Sequence, residues 1–288
     1  MKQIICVLLV LVLLLAGCGG TSAETTAAFS ESPVPPVRSE LHVYCFQAGK
    51  ADAFLIWNED GAALIDTGES GFGKTILAKL EALGITRLDY LILTHFDKDH
   101  VGGAKKLLGS VEVGQILQSN SPKEDASAYE KYLEAAETAE LAPVTVRERT
   151  ELRLGDAVFT VDPPAQESYP EDPSNNSSLI VTLTHGANRL LFPGDAEELR
   201  LREFLGTDPK PVALLKLPHH GKWESPLPAL LEATKPAWAV ITSSDEEPED
   251  PETLELLERA GAETFLTRTA PVEISSDGEN LRVGYAAP

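Results

Sequence analysis

Basic residues are scarce in this sequence of 288 residues. It contains 24 Lys and Arg against 45 Asp and Glu, which gives a formal net charge of −21. A surface of that charge repels nucleic acid and anionic lipid at long range, so binding of a large polyanion is disfavoured. A small phosphate-bearing substrate is not excluded, provided that positive charge is concentrated at its site.

Cysteine is rare as well, with three residues in the chain. Cys6 and Cys18 lie in the N-terminal segment, which leaves Cys45 alone in the remainder of the sequence. An internal disulfide is therefore excluded from that remainder. We interpret Cys45 as a small buried strand residue.

Long apolar runs are confined to the N-terminus. The segment MKQIICVLLVLVLLLAGCGG has one basic residue, Lys2, then an apolar run and an exit of small residues. This pattern is typical of a secretory signal rather than of a membrane-spanning helix. Residues 15–18, Leu-Ala-Gly-Cys, resemble the lipobox of bacterial lipoproteins, in which the cysteine is lipidated. A cleaved signal with an accidental cysteine is the alternative.

The N-terminal pattern predicts three segments. Residues 1–17 form a lipoprotein signal peptide, residues 18–39 a lipidated flexible tether rich in Thr, Ser, Ala and Pro, and residues 40–288 one folded domain. We expect the protein to be exported and held by its N-terminal lipid on the outer face of the bacterial cytoplasmic membrane, or on its periplasmic side. The sequence indicates no obligate protein partner.

Short segments of branched and aromatic residues alternate with segments of helical periodicity after the tether. ELHVYCFQ, DAFLIWN and GAALIDTG predict a meander of strands, and RLDYLILTH predicts a buried strand. Groups of strands with interleaved helices in both halves predict an α/β fold of two packed sheets flanked by helices.

An acidic helix is predicted at about 121–140 by the capping box Ser121-Pro122-Lys123-Glu124 and by the apolar residues that follow it at helical spacing. We interpret this helix as an insertion that covers part of the site mouth. An ordinary surface helix is the alternative.

Residues 68–75, GESGFGKT, match the phosphate-loop pattern G-x-x-x-x-G-K-[ST]. An exported protein meets little ATP, and the preceding strand ends a meander rather than opening a parallel sheet. We therefore interpret the segment as a glycine-rich turn between a strand and a helix, not as a nucleotide site.

The chemistry-bearing residues are concentrated in the stretch LTHFDKDHVGG, residues 93–103. His95, Asp97, Asp99 and His100 follow directly on the predicted buried strand. Imidazoles and carboxylates packed so densely at one strand end resist burial unless positive charge lies among them. The pattern therefore predicts a metal site.

His-x-Asp-x-Asp-His resembles the signature H-x-[HD]-x-D-H of the metallo-β-lactamase superfamily. Together with GKADAFLI, NNSSLIVTL, LLFPGDAE and LPHHG, in that chain order, it resembles the hydrolase domain of the ComEC competence proteins and its stand-alone relatives. The resemblance covers nearly all of the chain after the tether. It implies a metallo-β-lactamase fold, a four-layer αββα sandwich of two mixed sheets flanked by helices.

The resemblance also implies a centre of two divalent ions in which Asp195 bridges the ions. One histidine of the pair His219 and His220 would be a ligand and the other a proton donor or phosphate contact. The implied metal ligands are His95, Asp97, Asp99, His100, Asp195 and His220. We assign catalytic roles to Asp99, His219 and Lys222.

Three positions depart from the pattern of relatives. Asp97 stands where many relatives have histidine, which hardens the ligand set and leaves both Zn²⁺ and Mn²⁺ open. Asn175-Asn176-Ser177 replaces a third histidine motif and is assigned to substrate binding. Lys222 stands where relatives usually have serine, and its ammonium group can bind phosphate. The remaining lysines near the motifs, Lys98, Lys105 and Lys216, are expected to be solvated surface residues by default; the alternative is that they add positive charge at the site.

These features predict an extracytoplasmic two-metal phosphodiesterase or nuclease-like hydrolase, in which paired ions lower the pKa of a bridging water molecule toward ~7. Two ions and three carboxylates leave about one positive charge for an anionic phosphoryl group. The alternatives are a phosphoesterase that acts on cell-wall or choline-phosphate groups and a non-catalytic binding lipoprotein that keeps the fold. We expect a small or short phosphodiester substrate, and the net charge disfavours nucleic acid.

Replacement of Cys18 by Ser tests the predicted lipid attachment. Wild-type protein is expected to incorporate a radioactive fatty acid in cells and to partition into detergent, whereas Cys18→Ser should do neither because its hydroxyl cannot replace the lipidated thiol. Equal labelling of the two forms would refute lipidation at this residue.

Overall fold

The computed structural model describes residues 39–121 and 127–287. The predicted signal peptide, Cys18 and most of the capping box at 121–124 lie outside these residues. The described part contains two β-sheets. The first has the strand order β15-β14-β1-β2-β3-β4-β5-β6. Its strands are β1 (Leu41–Cys45), β2 (Phe54–Asn58), β3 (Gly61–Ile65), β4 (Arg87–Leu93), β5 (Glu112–Gln118), β6 (Val144–Thr145), β14 (Val272–Ser276) and β15 (Leu281–Tyr285).

The second sheet has the strand order β13-β12-β11-β10-β9-β8-β7. Its strands are β7 (Thr150–Leu154), β8 (Ala157–Asp162), β9 (Ile180–His185), β10 (Asn188–Phe192), β11 (Leu214–Lys216), β12 (Trp238–Ile241) and β13 (Glu263–Leu266). Both sheets are mixed, because the pairs β3–β4, β4–β5, β10–β11 and β11–β12 are parallel while the hairpins β1–β2 and β9–β10 are antiparallel.

Helices cover the outer faces of both sheets. They are α1 (Gly73–Leu83), α2 (Lys98–Val101), α3 (Ala104–Leu108), α4 (Ser127–Thr138), α5 (Glu198–Leu205), α6 (Leu227–Thr234) and α7 (Pro251–Ala260). Short 3₁₀ turns lie at Asn175–Ser177 and Pro218–Gly221. Among the described helices, none has both the length and the apolar content needed to cross a membrane.

The core is divided into three layers by the alternation of side chains along the strands. In β2, Phe54 and Ile56 point between the sheets, whereas Leu55 points outward beneath the helices. Phe54 meets Phe192 of the second sheet with ring centroids 5.1 Å apart. A third apolar layer lies between the second sheet and α5, α6 and α7. This arrangement of helix, sheet, sheet and helix layers confirms the predicted four-layer sandwich.

Helix α4 corresponds to the predicted insertion and packs over the start of the motif at 95–100. The Phe96 ring lies 4.5 Å from the Tyr129 ring and 6.3 Å from the Tyr132 ring. Tyr132 is fully buried, and its hydroxyl donates a hydrogen bond of 2.6 Å to Gln118 Oε1. The helix therefore supports Phe96, which stands between His95 and Asp97 in sequence.

Truncation of Tyr132 tests this supporting role. Tyr132→Ala is expected to lower the free energy of unfolding by about 3–5 kcal/mol, because it leaves a cavity beside Phe96. Leu133→Ala is the matched control on the same helix, since Leu133 is 37% exposed. Chemical denaturation with equal losses in the two variants would contradict this account of α4.

Candidate metal centre

Parallel strand pairing gathers the motif residues at one edge of the two sheets. Neighbouring parallel strands end on the same side, and in open α/β sheets that side carries the site. Asp66 follows β3, His95 follows β4, Asp195 follows β10 and His220 follows β11. Gly194 makes the approach of β10 to β4 possible, because a Cβ atom there would lie 2.9 Å from the Thr94 Cβ atom.

Four side chains bring their ligand atoms together at this edge. They are Asp99, His100, Asp195 and His220, whose ligand atoms all lie within 4.8 Å of one another. Asp195 Oδ2 lies 3.2 Å from His100 Nε2 and 3.0 Å from His220 Nε2. Asp99 Oδ2 lies 3.4 Å from His220 Nε2 and 4.0 Å from His100 Nε2.

Each histidine near the cluster uses its Nδ1 atom to bond to the protein. His100 Nδ1 donates to Asp66 Oδ2 at 2.8 Å, and His220 Nδ1 donates to the carbonyl oxygen of Thr242 at 2.9 Å. Thr94 Oγ1 donates its proton to Asp66, so His95 Nδ1 donates to that hydroxyl at 3.2 Å. These bonds fix one tautomer, in which the Nε2 atom carries the lone pair.

The Nε2 atoms of His95, His100 and His220 are buried and lack hydrogen-bond partners. A buried polar atom without a hydrogen-bond partner is costly, and three such nitrogen atoms from neighbouring strand ends suit the binding of a cation. Nitrogen and oxygen ligands ~2.0–2.2 Å from an ion in tetrahedral geometry lie about 3.3–3.5 Å apart. The spacings of the four-residue cluster are close to that range, and the cluster therefore fits a divalent ion.

The electrostatics of the cluster depend on its buried carboxylates. Burial lowers the pKa of His100, but the charges of Asp195 and Asp66 outweigh that effect and raise the pKa well above its usual value. Burial raises the pKa of Asp195, but His100, His220 and Lys216 outweigh it and hold the pKa well below its usual range. These side chains thus attract positive charge, which a divalent ion would supply in place of protons.

His95 and Asp97 are not members of the four-residue cluster, although the His95 ring lies 4.1 Å from the His100 ring. Burial and the neighbouring His100 lower the pKa of His95 to about 4, while Asp195, Asp97 and Asp99 act in the opposite direction. The hydroxyl of Ser174 donates a short hydrogen bond to Asp97 Oδ1. Among the described residues, neither side chain belongs to a group of three ligand-type side chains within 4.8 Å.

His219 and His220 separate into different environments. Both have positive φ values, 46° and 54°, a strained conformation that turns successive side chains apart. His220 points into the cluster, whereas His219 Nδ1 lies 3.2 Å from Glu197 Oε1 and 3.4 Å from Glu224 Oε1. Burial raises the pKa of Glu197 to about 7, although the hydrogen bond from Asn175 opposes this shift.

The residues assigned to substrate binding make mainly structural contacts. Asn175 Nδ2 donates to Glu197 at 2.7 Å. Asn176 is 2% exposed and bonds to the Glu171 carbonyl and the Arg200 amide. The Ser177 hydroxyl donates to the Ser174 carbonyl at 2.6 Å. These contacts hold the 3₁₀ turn that presents Ser174 to Asp97.

The four lysines considered from the sequence are each paired with a carboxylate; they are Lys98, Lys105, Lys216 and Lys222. Lys222 Nζ lies 3.2 Å from Asp250 Oδ1, and Lys98 and Lys105 pair with surface glutamates at 2.8 and 2.9 Å. The expectation that Lys216 is a solvated surface residue is wrong, because it is fully buried. Burial lowers the pKa of Lys216, but Asp52 and Asp195 outweigh that effect and raise it.

Comparison with known proteins places these observations in a family. Residues 47–243 match the model of the metallo-β-lactamase superfamily. The chain belongs to this superfamily. Its sequence is 30% identical over 232 residues to ComE operon protein 3 of Bacillus subtilis. The aligned region covers 73% of this chain and 29% of that protein. It is also 30% identical over 219 residues to competence protein ComA of Neisseria gonorrhoeae. This aligned region covers 74% of this chain and 28% of that protein.

The chain thus spans less than a third of the length of these relatives, and the predicted ComEC-like resemblance is confirmed. Among solved structures, the metallo-β-lactamase fold protein YhfI of Bacillus subtilis is similar with a TM-score of 0.55 at 12% identity, over 86% of this chain and 100% of that one. At that identity the likeness shows the shared fold alone.

The phosphate-loop match has a structural role in this superfamily member. Thr67 N and Oγ1 both donate to the His100 carbonyl, at 2.7 and 2.8 Å, and Gly103 N donates to the Gly68 carbonyl at 3.1 Å. Gly102 packs so closely that an added Cβ atom would lie 2.4 Å from Ser70 N. Thr67 and the first half of the segment therefore support the loop that carries Asp99 and His100.

Sequence reasoning missed several residues around the centre. Asp52, Thr94 and Thr242 bond to the ligands or their supports, and Glu197 and Glu224 contact His219. Asp52 had a signal in the sequence, because it is an unexplained acidic residue at the start of an apolar strand segment. The glutamates had none, since nothing local distinguishes them from other surface carboxylates.

Asp66→Asn tests the support of His100. The amide keeps the shape of the side chain and suits its positive φ of 56°, but it accepts from His100 Nδ1 more weakly. Loss of such a support typically lowers metal affinity 10–100-fold, and we expect that range in chelator competition. Asp60→Asn, an exposed change in the β2–β3 turn, is the matched control. Unchanged affinity in Asp66→Asn would contradict this description of the centre.

Proposed function

We propose that this chain is a metal-dependent phosphodiesterase that acts outside the cytoplasm. The observation that carries the proposal is the convergence of the Nε2 atoms of His100 and His220, which lack hydrogen-bond partners, with the carboxylates of Asp99 and Asp195. A divalent ion at such a site lowers the pKa of a water molecule and neutralises charge on a phosphoryl group. No G-x-S-x-G nucleophile elbow is present in the sequence, and this chemistry does not need one.

The proposed roles follow from the positions of the side chains. Asp99, His100, Asp195 and His220 hold one ion, and His95 with Asp97 contributes ligands for a second. Asp66 and Thr242 keep the imidazoles of His100 and His220 in the ligating tautomer. His219 has its Nδ1 directed to Glu197 and Glu224, which leaves Nε2 as the atom that can pass a proton to a leaving group.

A second candidate function is hydrolysis of a phosphodiester that also carries a cation, such as a choline-phosphate group. It is favoured by the carboxylates of Glu197 and Glu224, which contact His219, and by Trp223, the neighbour of Glu224 in sequence, which is 41% exposed. Carboxylates and aromatic faces both attract quaternary ammonium groups. A zwitterionic substrate also avoids repulsion by the acidic surface.

Hydrolysis of bis(p-nitrophenyl) phosphate tests the leading proposal. We expect no turnover after chelator treatment and recovery with Mn²⁺ or Zn²⁺. His220→Gln should lower turnover more than ~100-fold, because a lost ligand costs more than the 10–100-fold of a lost supporting residue. His42→Gln, the same change at a half-buried histidine on β1, should stay near wild type. Metal-independent turnover, or equal effects of the two variants, would refute the proposal.

The same assay with other substrates distinguishes the two candidate functions. Hydrolysis of p-nitrophenylphosphorylcholine that is faster than that of bis(p-nitrophenyl) phosphate, and that is lost selectively in Glu224→Gln, would favour the choline-phosphate hypothesis. Single-stranded DNA is the third substrate, assayed at ~50 and ~200 mM salt, since binding through several lysines weakens steeply with salt. We expect the small diester to respond weakly to salt and to be preferred over DNA.

A further inference from the structure

Arg200, on the first turn of α5, is a buried cation that the proposed chemistry does not use. It is 2% exposed, and burial of a guanidinium group is costly unless its donors are bound. Its Nε atom donates to the Ser178 carbonyl at 3.0 Å, and its Nη2 atom donates to the Asp162 carbonyl at 2.8 Å. A guanidinium group holds its donors in a rigid plane, so it can bind two carbonyl oxygens at once.

The two carbonyls lie near the two ends of the connection between β8 and β9. β8 ends at Asp162 and β9 begins at Ile180, so the guanidinium group binds the chain before and after the intervening residues. The backbone amide of Arg200 also donates to Asn176 Oδ1 at 3.0 Å. Arg200 therefore fixes the 3₁₀ turn at Asn175–Ser177 relative to the two strands that flank it.

The segment 174–179, which contains this turn, contacts two of the carboxylate residues that we propose as metal ligands. Ser174 Oγ donates a hydrogen bond to Asp97 Oδ1. Ser178 Oγ accepts a hydrogen bond of 3.2 Å from the backbone amide of Asp195. Since Arg200 binds the Ser178 carbonyl, a single residue joins the guanidinium group to the support of Asp195.

The 174–179 segment is also bonded to the first sheet. The Leu179 amide donates to the Thr94 carbonyl at 2.9 Å, and Ser119 Oγ donates to the Ser177 carbonyl at 2.5 Å. Thr94 follows β4 and Ser119 follows β5. The segment is therefore held between the second sheet and the ends of these two strands, at the edge where the clustered side chains lie.

We propose that Arg200 is a positioning residue of the metal centre, which holds Asp97 and Asp195 in place through the 174–179 segment. The segment contacts Asp97 at its carboxylate and Asp195 at its backbone amide, so loss of the guanidinium group should let both residues move. This inference rests on the metal centre of the proposed function and names the residue that keeps two of its carboxylates in place.

Binding of Co²⁺ to metal-free protein tests the inference without an activity readout, because the visible absorption of Co²⁺ depends on the number and geometry of its ligands. Arg200→Met removes the bonds to both carbonyls and keeps an unbranched side chain. It is expected to lower the affinity for Co²⁺ by about 10–100-fold, the range that is typical for loss of a supporting residue. The absorption spectrum of the Co²⁺-saturated variant should also differ from that of wild-type protein.

Arg202→Met is the matched control on the same helix. Arg202 pairs with Glu198 at 2.8 Å, and its side chain is 57% exposed. Both the affinity for Co²⁺ and the absorption spectrum should therefore stay as in wild-type protein.

The double variant Ser174→Ala/Ser178→Ala tests the route through the segment. It removes the two contacts to the carboxylate residues while Arg200 is kept, and it should reproduce the loss of affinity and the change of spectrum. Addition of Arg200→Met to this double variant should lower the affinity by less than ~3-fold further, because the effects of residues that act through one another do not add.

An unchanged Co²⁺ affinity and spectrum in folded Arg200→Met would overturn the inference, and so would full additivity of the arginine and serine changes. If circular dichroism shows that Arg200→Met is unfolded, Arg200→Lys replaces it with the same expectation, because an ammonium group keeps the charge but cannot bind both carbonyls in the same geometry. Absence of any Co²⁺ binding by wild-type protein is a different result, since it would refute the metal centre and the proposed function with it.

Discussion

The structure depends on the neutralisation of carboxylates that are buried where the two sheets meet. Asp52, Asp66 and Asp195 are each at most 3% exposed, and they lie at the carboxyl ends of parallel strands or beside them. Charges in that setting require paired cations or hydrogen bonds. Lys216 supplies one cation, and the threonines and histidines of the strand ends supply donors. The histidine Nε2 atoms without hydrogen-bond partners lie at the same strand ends. A divalent ion there would be bound by the lone pairs of the histidines and would neutralise the remaining charge of the carboxylates.

Support for the centre comes from segments that are far apart in the chain. The glycine-rich turn after β3 binds the backbone of the loop at 97–103, and α4 packs on Phe96. The strained turn at His219 and His220 sends one imidazole into the cluster and the other to Glu197 and Glu224. Such strain persists only where the surroundings hold it, and it is typical of functional sites. The two histidines therefore have distinct surroundings despite being neighbours in sequence.

Much of this architecture could be predicted from sequence because the signals were local. The dense motif at 95–100 and the alternation of strand and helix patterns needed no knowledge of distant contacts. The pairing of β1 with β14 could not be predicted, since Leu41 and Ser276 are brought together only by the folded chain. The burial of Lys216 was missed for the same reason, because a lysine after two leucines looks like any strand-end residue until Asp52, 164 positions earlier, is placed against it.

The most direct measurement of the central claim is anomalous X-ray diffraction from crystals grown with Mn²⁺ or Zn²⁺, recorded on both sides of the metal absorption edge. We expect the strongest anomalous peak to lie among Asp99 Oδ2, His100 Nε2, Asp195 Oδ2 and His220 Nε2. A strongest peak at Glu197, His219 and Glu224, or no peak among the four-residue cluster, would contradict it.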